Sequence, residues 1–321
     1  MDLIYMNERL EDVGVLIDAT MDVALGVDEN DFECGIALQK HCCKEGFYLY
    51  YDGTEYGGII DRIKVDTKSK EVSYLGRTWH GILDSKIICP DEGKAYLIVS
   101  GEANAVIGEL IERLGLSSLF SASEEDSGIE IISYKMNRYI GGYDGIKKML
   151  KSVGAKLKLK FSGGKVILSA ARLVDYSQDE QFDSDQLEFK VTKNFAPINH
   201  CICLGTGQLT ERQVIHLYTD TEGNISDTQS IFGLSERTAV YENTNVESLE
   251  ELEQGGRDLI RESWKSDEID FSFNSNAESY DIGDIVGAQE RTTGIFASAE
   301  IVKKIVKIDK GKTTINYKVG E

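Results

Sequence analysis

The sequence predicts an α+β fold in which β-structure dominates, with β modules at both ends of the chain and an α+β lobe between them. The 321 residues include 31 glycines and 15 tyrosines but only two prolines, a balance typical of many short strands joined by glycine-containing turns. Helical periodicity is confined to the middle of the chain and to one later segment. A weak internal repeat relates the two ends and favours two similar β modules.

The first β module is predicted over residues 1–95. Its β-prone runs are separated by turn sequences such as Asp52-Gly53 and Thr67-Lys68-Ser69. This spacing is typical of a meander or a barrel. Strands are expected at residues 3–6, 13–17, 32–37, 47–51, 58–65 and 71–75.

The inserted α+β lobe is predicted over residues 96–185. Apolar residues recur there on two helical faces, and Gly115 and Gly154 stand where a C′ glycine ends a helix. Lysines then alternate with apolar residues over 156–161, and Gly163-Gly164 follows as a turn. This pattern predicts a β-hairpin with one solvent-exposed face.

The second β module, with one helix, is predicted over residues 186–321. The helix is indicated by apolar residues on one face after Thr244, which with Glu247 forms a possible capping box. The last fifty residues again have the pattern of strands. Earlier strands of this module are expected at residues 187–192, 201–204, 213–218 and 238–241.

The internal repeat lies near the ends of the two β modules. Ile63-Lys64-Val65-Asp66 recurs as Val306-Lys307-Ile308-Asp309, and at the same offset Val72-Ser73-Tyr74 meets Ile315-Asn316-Tyr317. Each block predicts a β-hairpin. Duplication of a module explains the repeat, and so does a chance likeness between two hairpins of similar composition.

The composition excludes several classes of protein. With 55 acidic and 35 basic residues, the chain has a formal charge of −20. This charge argues against a protein that binds nucleic acid, because phosphate binding needs clustered Lys and Arg. An acidic surface suits a conduit through which DNA slides, and it also simply keeps a protein soluble. No apolar run approaches the roughly 20 residues of a membrane helix, and the N-terminus lacks the features of a secretion signal.

No catalytic, cofactor-binding or metal-binding residues are predicted, and we expect a protein that is not an enzyme. Nucleophile-elbow, zinc-protease, P-loop and dinucleotide motifs are all missing from the sequence. The cysteines are too few and irregular for a disulfide framework or a zinc site, so reduced thiols are expected. The weak candidates are the carboxylates Glu124, Glu125, Asp126, Asp183 and Asp185, a turn-like Asp220-x-Glu222-x-Asn224, the pair Cys42 and Cys43, and the run of His200, Cys201 and Cys203.

Four segments resemble the tail hub proteins of siphophages and of phage-derived particles. They are GRTWHGILDSKIICPDEG at residues 76–93, the run from Gly101 to Ile107, YDIGDIV at residues 280–286, and residues 300–320. The family shares the hub fold of contractile-tail baseplates. The resemblance covers most of the chain in order.

The resemblance implies a structural hub with two tube-type β-barrel modules per subunit. Three subunits are then expected to form a pseudo-sixfold ring that joins a sixfold tail tube to a threefold tip. The implied partners are a tail tube or distal tail protein on one side and a spike, fibre or tail-tip protein on the other. DNA is expected to pass through the lumen without specific binding, and no membrane partner is expected.

The chain is therefore expected to be made in the bacterial cytoplasm and kept in a virion or phage-like particle. Because many members continue into a C-terminal extension, it is expected to be a minimal or shortened hub. Two other functions stay open at the level of sequence. One is a cell-wall hydrolase associated with a tail, since glycoside hydrolysis needs only two carboxylates. The other is a carbohydrate-binding β module.

Overall fold

The structure, a computed structural model, describes residues 2–320 except 178–180, 184–187, 247, 265–267 and 276–279. The chain divides into a larger unit of Met1–Phe189 with Asp270–Glu321 and a smaller unit of Lys190–Ile269. Strands outnumber helices in both units, so the predicted β-rich α+β class is confirmed. The three predicted modules stay a prediction.

The larger unit begins with strands that alternate between buried and exposed side chains. In the fourth strand, Phe32, Cys34 and Ile36 are buried. Asp31 and Glu33 alternate with them along the strand and are exposed, as the period of two in a strand requires. The strands are β1 (Leu3–Met6), β2 (Asp12–Leu16), β3 (Thr20–Gly26), β4 (Asp31–Ala37), β5 (Tyr48–Tyr51), β6 (Gly57–Asp66) and β7 (Glu71–Thr78).

Three helices and several short strands follow in the same unit. Gly115 ends the second helix at φ 69°, and the Leu116 N–H donates to the Ile111 carbonyl, so the predicted glycine stop is confirmed. The elements are α1 (Trp79–Asp84), β8 (Ile87–Ile88), β9 (Ile98–Glu102), α2 (Ala103–Arg113), β10 (Phe120–Ala122), β11 (Glu130–Lys135), β12 (Ile140–Gly141), α3 (Gly142–Lys151), β13 (Ala155–Ser162) and β14 (Lys165–Arg172).

The smaller unit is a four-stranded sheet covered on one face by a helix. After β15 (Gln181–Asp183) and β16 (Glu188–Thr192), its elements are β17 (His200–Leu204), β18 (Val214–Thr219), β19 (Ile225–Ser226), β20 (Thr238–Glu242) and α4 (Leu249–Trp264). The strand order is β19-β18-β17-β20, and β17 runs parallel to β20.

Helix α4 lies very close to the sheet of the smaller unit. A Cβ atom at Gly256 would stand 2.2 Å from Cys203 Sγ, and one at Gly255 would stand 2.3 Å from the Tyr241 ring. These glycines lower the helix propensity, but they are the residues that allow the close approach. Leu252 and Ile260 on the same helix are buried against the sheet. Of the predicted capping box, Glu247 lies outside the described residues, and the Ser248 hydroxyl accepts from the Glu251 N–H instead.

The last strands return to the large sheet. They are β21 (Glu268–Ser275), β22 (Ile285–Gln289), β23 (Phe296–Asp309) and β24 (Lys312–Gly320). From β21 the order is β21-β24-β23-β3-β4-β7-β6-β5-β1-β2, and every neighbouring pair is antiparallel. β22 pairs with the first half of β23. Within the described residues these pairings do not close into a ring, so the two barrels stay a prediction.

The first strands and the helical region share one hydrophobic core. The Trp79 ring stacks on Phe161 at 5.5 Å between centroids, and Tyr50 lies 4.1 Å from the same ring. Phe161 belongs to β13, whereas Tyr50 belongs to β5. Since buried aromatic rings contribute much apolar area, this contact fixes the lobe on the first strands.

Both blocks of the internal repeat form β-hairpins in the same sheet, on opposite sides of β3 and β4. The turns differ in length. Four residues separate the paired Asp66 and Glu71, whereas Lys310 and Gly311 alone connect β23 to β24. The ungapped alignment therefore slips by two residues in the second strand, and duplication of the modules stays a prediction.

Candidate functional site

The carboxylates singled out in the sequence do not come together in a cavity. Glu124, Glu125 and Asp126 are exposed in the loop between β10 and β11. Asp183 lies in β15, and Asp185 lies outside the described residues. A general acid needs an apolar surround that raises its pKa, and the exposed loop provides none.

The cysteine and histidine candidates are separated by the strand geometry. Cys201 and Cys203 are buried beneath α4 with their Sγ atoms 3.8 Å apart, and burial raises the pKa of Cys203 to about 12. His200 precedes Cys201 in β17 and points to the opposite face of the sheet. Cys42 and Cys43 are adjacent, with 4.0 Å between their Sγ atoms. In the described part of the chain, no three His, Cys, Asp or Glu side chains are placed to hold a metal ion.

The segment that faintly resembles a calcium loop forms a hairpin turn. The Asp220 carboxylate accepts from the Glu222 N–H at 2.8 Å and from the Asn224 N–H at 2.9 Å. Its second oxygen accepts from the Asn224 side chain. The turn interpretation therefore accounts for these residues.

The larger unit contains a polar cleft of about 660 Å³. It is formed where the loop before β6, strand β13 and the segment before β22 meet, so its walls come from distant parts of the sequence. Its charged and aromatic lining residues are Glu55, His80, Tyr143, Lys158, Lys160, Tyr176, Tyr280 and Asp281.

Glu55 lies at the centre of a buried ion cluster beside this cleft. Its carboxylate is 2.6 Å from Lys304 Nζ and 3.3 Å from His80 Nε2. The Lys304 and His80 side chains are only 1% and 2% exposed. Burial alone raises the pKa of Glu55, but the charge of Lys304 and the hydrogen bond from His80 outweigh it and lower the pKa. The cluster thus ties β23 to the loop before β6 and to α1.

A second ion cluster ties β13 to the segment before β22. Lys156 Nζ lies 2.6 Å and 2.7 Å from the two oxygens of Asp284 and 2.8 Å from Asp281. Asp284 is 1% exposed and also accepts from the N–H groups of Val174 and Asp281. Burial raises the pKa of Asp281, but the hydrogen bond and the charge of Lys156 outweigh burial, so the pKa is lowered overall. Every charge here has a partner, as a buried ion pair requires.

These contacts indicate a structural role for the cleft. Glycoside hydrolysis needs one carboxyl group that holds its proton near neutral pH. The pKa values of Glu55 and Asp281 are both lowered by neighbouring cations, so neither carboxylate is prepared to donate a proton. The two clusters instead hold together strands that are far apart in sequence.

The large sheet presents one uncovered face of mixed charge. Over β24, β23, β3, β4 and β7, one set of alternate side chains is mostly buried and the other set is more exposed. On the solvent side, Lys307 lies beside Asp22, which stands opposite Glu33 on the next strand. Arg77 forms an ion pair with Asp61 at 2.8 Å. The face therefore carries both positively and negatively charged side chains rather than carboxylates alone.

The two ion clusters were not predicted from the sequence. The prediction of one solvent-exposed face for Lys156, Lys158 and Lys160 is wrong for Lys156, which is buried against Asp284. Lys158 and Lys160 are exposed as predicted. The signal available in the sequence was charge inside an apolar strand, as at Lys303 and Lys304 between Val302 and Ile305. The partner of Lys304, Glu55, cannot be predicted from the sequence because the two residues are 249 positions apart.

Comparison with known proteins identifies the fold of the chain through similar solved structures. No protein-family model matches the chain, and no curated protein does. The structure is similar to the 43 kDa tail protein of prophage MuSo2 from Shewanella oneidensis, with a TM-score of 0.57, 12% identity, and 99% of this chain and 98% of that chain covered. It is similar to prophage tail protein gp18 from Listeria monocytogenes EGD-e, with a TM-score of 0.55, 10% identity, and coverage of 99% and 94%.

A third similar structure is the tail protein from Neisseria meningitidis MC58, with a TM-score of 0.50, 13% identity, and coverage of 100% and 96%. The likeness spans both chains almost completely in all three cases. The chain therefore has the fold of phage tail proteins, and the resemblance noted in the sequence is confirmed as a resemblance of fold. Within the described residues, no helix is long and apolar enough to cross a bilayer.

Proposed function

We propose that this protein is a structural component of a phage-type tail, the hub that joins the tail tube to the tail tip or spike. The observation that carries the proposal is the end-to-end likeness to prophage tail proteins, which involves the whole chain rather than one common motif. The protein is then made in the bacterial cytoplasm and becomes part of a virion or phage-like particle.

The ring is the second part of the proposal. Residues 1–95 and 186–321 are two β modules, residues 96–185 are an insertion, and three subunits form a pseudo-sixfold ring. The repeated hairpins support this, because they occupy the same sheet on either side of β3 and β4. A heterologous contact between copies closes such a ring when its rotation is one third of a turn.

The lumen is proposed to pass DNA without binding it. The net charge of −20 supports weak attraction for phosphate. On the uncovered face of the large sheet, Lys307 lies beside Asp22 and Arg77 is ion-paired with Asp61. Neighbouring carboxylates of this kind reduce the attraction of these cations for a polyanion.

Electron cryomicroscopy of purified particles that carry a tagged copy of the chain tests the proposal. We expect three copies in a ring between the tube and the tip. Absence of the chain from particles, or a position outside the tube axis, contradicts the hub. Release of peptidoglycan fragments by the purified chain contradicts the purely structural role.

A further inference from the structure

The two hairpins of the internal repeat turn at the same end of the large sheet. Ala37 at the end of β4 pairs with Glu71, the residue that follows the first turn. Thr20 at the start of β3 pairs with Asp309, the residue that precedes the second turn. Because β3 and β4 are antiparallel neighbours, the start of β3 lies beside the end of β4. Both turns therefore lie at one end of the sheet, and β3 and β4 separate them.

Each of these hairpin ends carries two lysines around one small residue. The first contains Lys68-Ser69-Lys70, and the second contains Lys310-Gly311-Lys312. All six residues are exposed. In the part of the chain that the structure describes, none of the four lysine side chains forms an ion pair. We refer to residues 68–70 and 310–312 as the lysine tips.

Two carboxylates at this end of the sheet are engaged by their neighbours. Asp66 accepts from the N–H groups of Lys68 and Ser69, so it stabilises its own turn. Asp18 forms an ion pair with Lys40. The charged residues of the two turns, of the residues beside them and of the neighbouring loops 17–19 and 38–40 are Asp18, Lys40, Asp66, Lys68, Lys70, Glu71, Asp309, Lys310 and Lys312. Five lysines against four carboxylates give this end a formal charge of +1, whereas the whole chain carries −20.

The chain enters the larger unit from the smaller one at the other end of the sheet. Asp270, the first residue of this return, pairs with Gly320. Gly320 is the last residue of β24, and Lys312 is the first. A strand rises about 3.3 Å per residue, so the length of β24 places this connection about 26 Å from the second lysine tip.

The spacing of the lysine tips favours two separate contacts over one phosphate site. From β23 to β7 there are three strand spacings of about 4.8 Å, so the tips stand about 14 Å apart. Lysines that hold one phosphate must cluster around it, whereas these two pairs meet groups in different places. Two similar basic tips on one subunit fit a partner that repeats the same acidic group, as a sixfold ring does.

We propose that the lysine tips are the surface by which the hub docks on the tail tube, and that the facing end of the tube carries acidic side chains. The inference rests on the proposed hub role, in which three subunits with two tips each present six tips to a sixfold ring. Attraction between the tips and the carboxylates of the tube orients the hub and speeds its association.

The experiment uses the full chain, with the purified tail tube protein of the same particle as the probe. Binding is measured by interferometry at several salt concentrations for the wild type, for Lys68→Glu and for Lys312→Glu. We expect wild-type binding to weaken as salt rises, because salt screens exposed charges. Each reversal should weaken binding at least about fivefold at low salt and reduce its salt dependence. Lys70→Glu and Lys310→Glu test each tip a second time.

The matched control is Lys94→Glu, at an exposed lysine in the loop before β9 of the same unit. It should bind as the wild type does, and circular dichroism should show that the variants are folded. Tube binding that tolerates the reversals at either tip overturns the inference, as does a tube protein that does not bind. Loss of DNA binding rather than of tube binding in these variants identifies a phosphate site and also overturns it. A chain that still occupies the ring in particles while these tests fail leaves the hub proposal standing.

Discussion

At the scale of single residues, the sequence predicted local features and missed long-range pairs. The helix end at Gly115 and the turn at Asp220 depend only on neighbouring residues in the chain, so the local sequence was sufficient to predict both. The contact of Glu55 with Lys304 depends on the complete fold. A pattern of apolar alternation even favoured a wrong position for Lys156. Buried charges are where local rules fail, because their partners are set by topology.

Removal of the Lys304 charge should destabilise the protein strongly. Lys304→Met leaves the buried Glu55 carboxylate with His80 as its remaining close partner. We expect the free energy of unfolding to fall by about 3 kcal/mol in urea titrations. The matched control is Lys307→Met on the same strand, whose exposed contact with Asp22 at 3.8 Å should contribute less than about 1 kcal/mol. Equal losses for both variants would show that the Lys304 cluster has no special role.

Glu102 should make stability depend on acid pH. Burial raises its pKa, but the Ser127 hydroxyl and the N–H groups of Ala105 and Ser127 outweigh burial and bring the pKa to about 2. A lowered pKa means that the stabilisation is complete above the unfolded value near 4.5 and is lost as the pH falls toward 2. We expect Glu102→Gln to lower Tm at pH 6 and to match the wild type increasingly closely below pH 4. The control Glu124→Gln, in an exposed loop, should follow the wild-type curve throughout.

At the scale of elements, periodicity found α2, α3, α4 and the hairpins, but it missed the six-residue helix α1 and strand β3, and it did not order the strands. The repeat blocks form hairpins as predicted, and the helix after Thr244 is present as α4. The neighbours of β3 are β4 and β23, and the second of these is far away in sequence. No local pattern encodes that choice, because many strands have the same alternation.

The turn between β23 and β24 should be sensitive to glycine replacement. Lys310 and Gly311 have φ values of 48° and 77°, as a two-residue hairpin turn requires. Gly311→Ala should therefore destabilise the chain by about 1 kcal/mol in thermal or urea unfolding. Lys68→Ala, in the four-residue turn of the other repeat block, should change stability by less than about 0.5 kcal/mol. An unaffected Gly311→Ala variant would show that the hairpin relaxes into another turn.

At the scale of the whole molecule, the class of fold followed from composition and repeat, whereas the division into compact units did not. Residues 190–269 form a unit with their own core beneath α4. The sequence offers little sign of this division, since strands of the same character continue on both sides of it. The contact between Trp79 and Phe161 likewise joins two predicted modules in one core. Which elements share a core depends on tertiary packing, and sequence periodicity does not encode which elements pack together.

Self-association of the isolated chain should increase with salt. A ring brings together subunits that each carry a net charge of −20, and their repulsion opposes assembly. Salt screens this repulsion over about 8 Å at physiological ionic strength and over shorter distances above it. In sedimentation equilibrium we expect a monomer or weak association at low salt. A trimer should appear as salt or protein concentration rises, because apolar contacts between copies are then opposed less. A stable dimer with twofold symmetry under all conditions would contradict a threefold hub, since such a contact closes on itself and leaves no surface for a third copy.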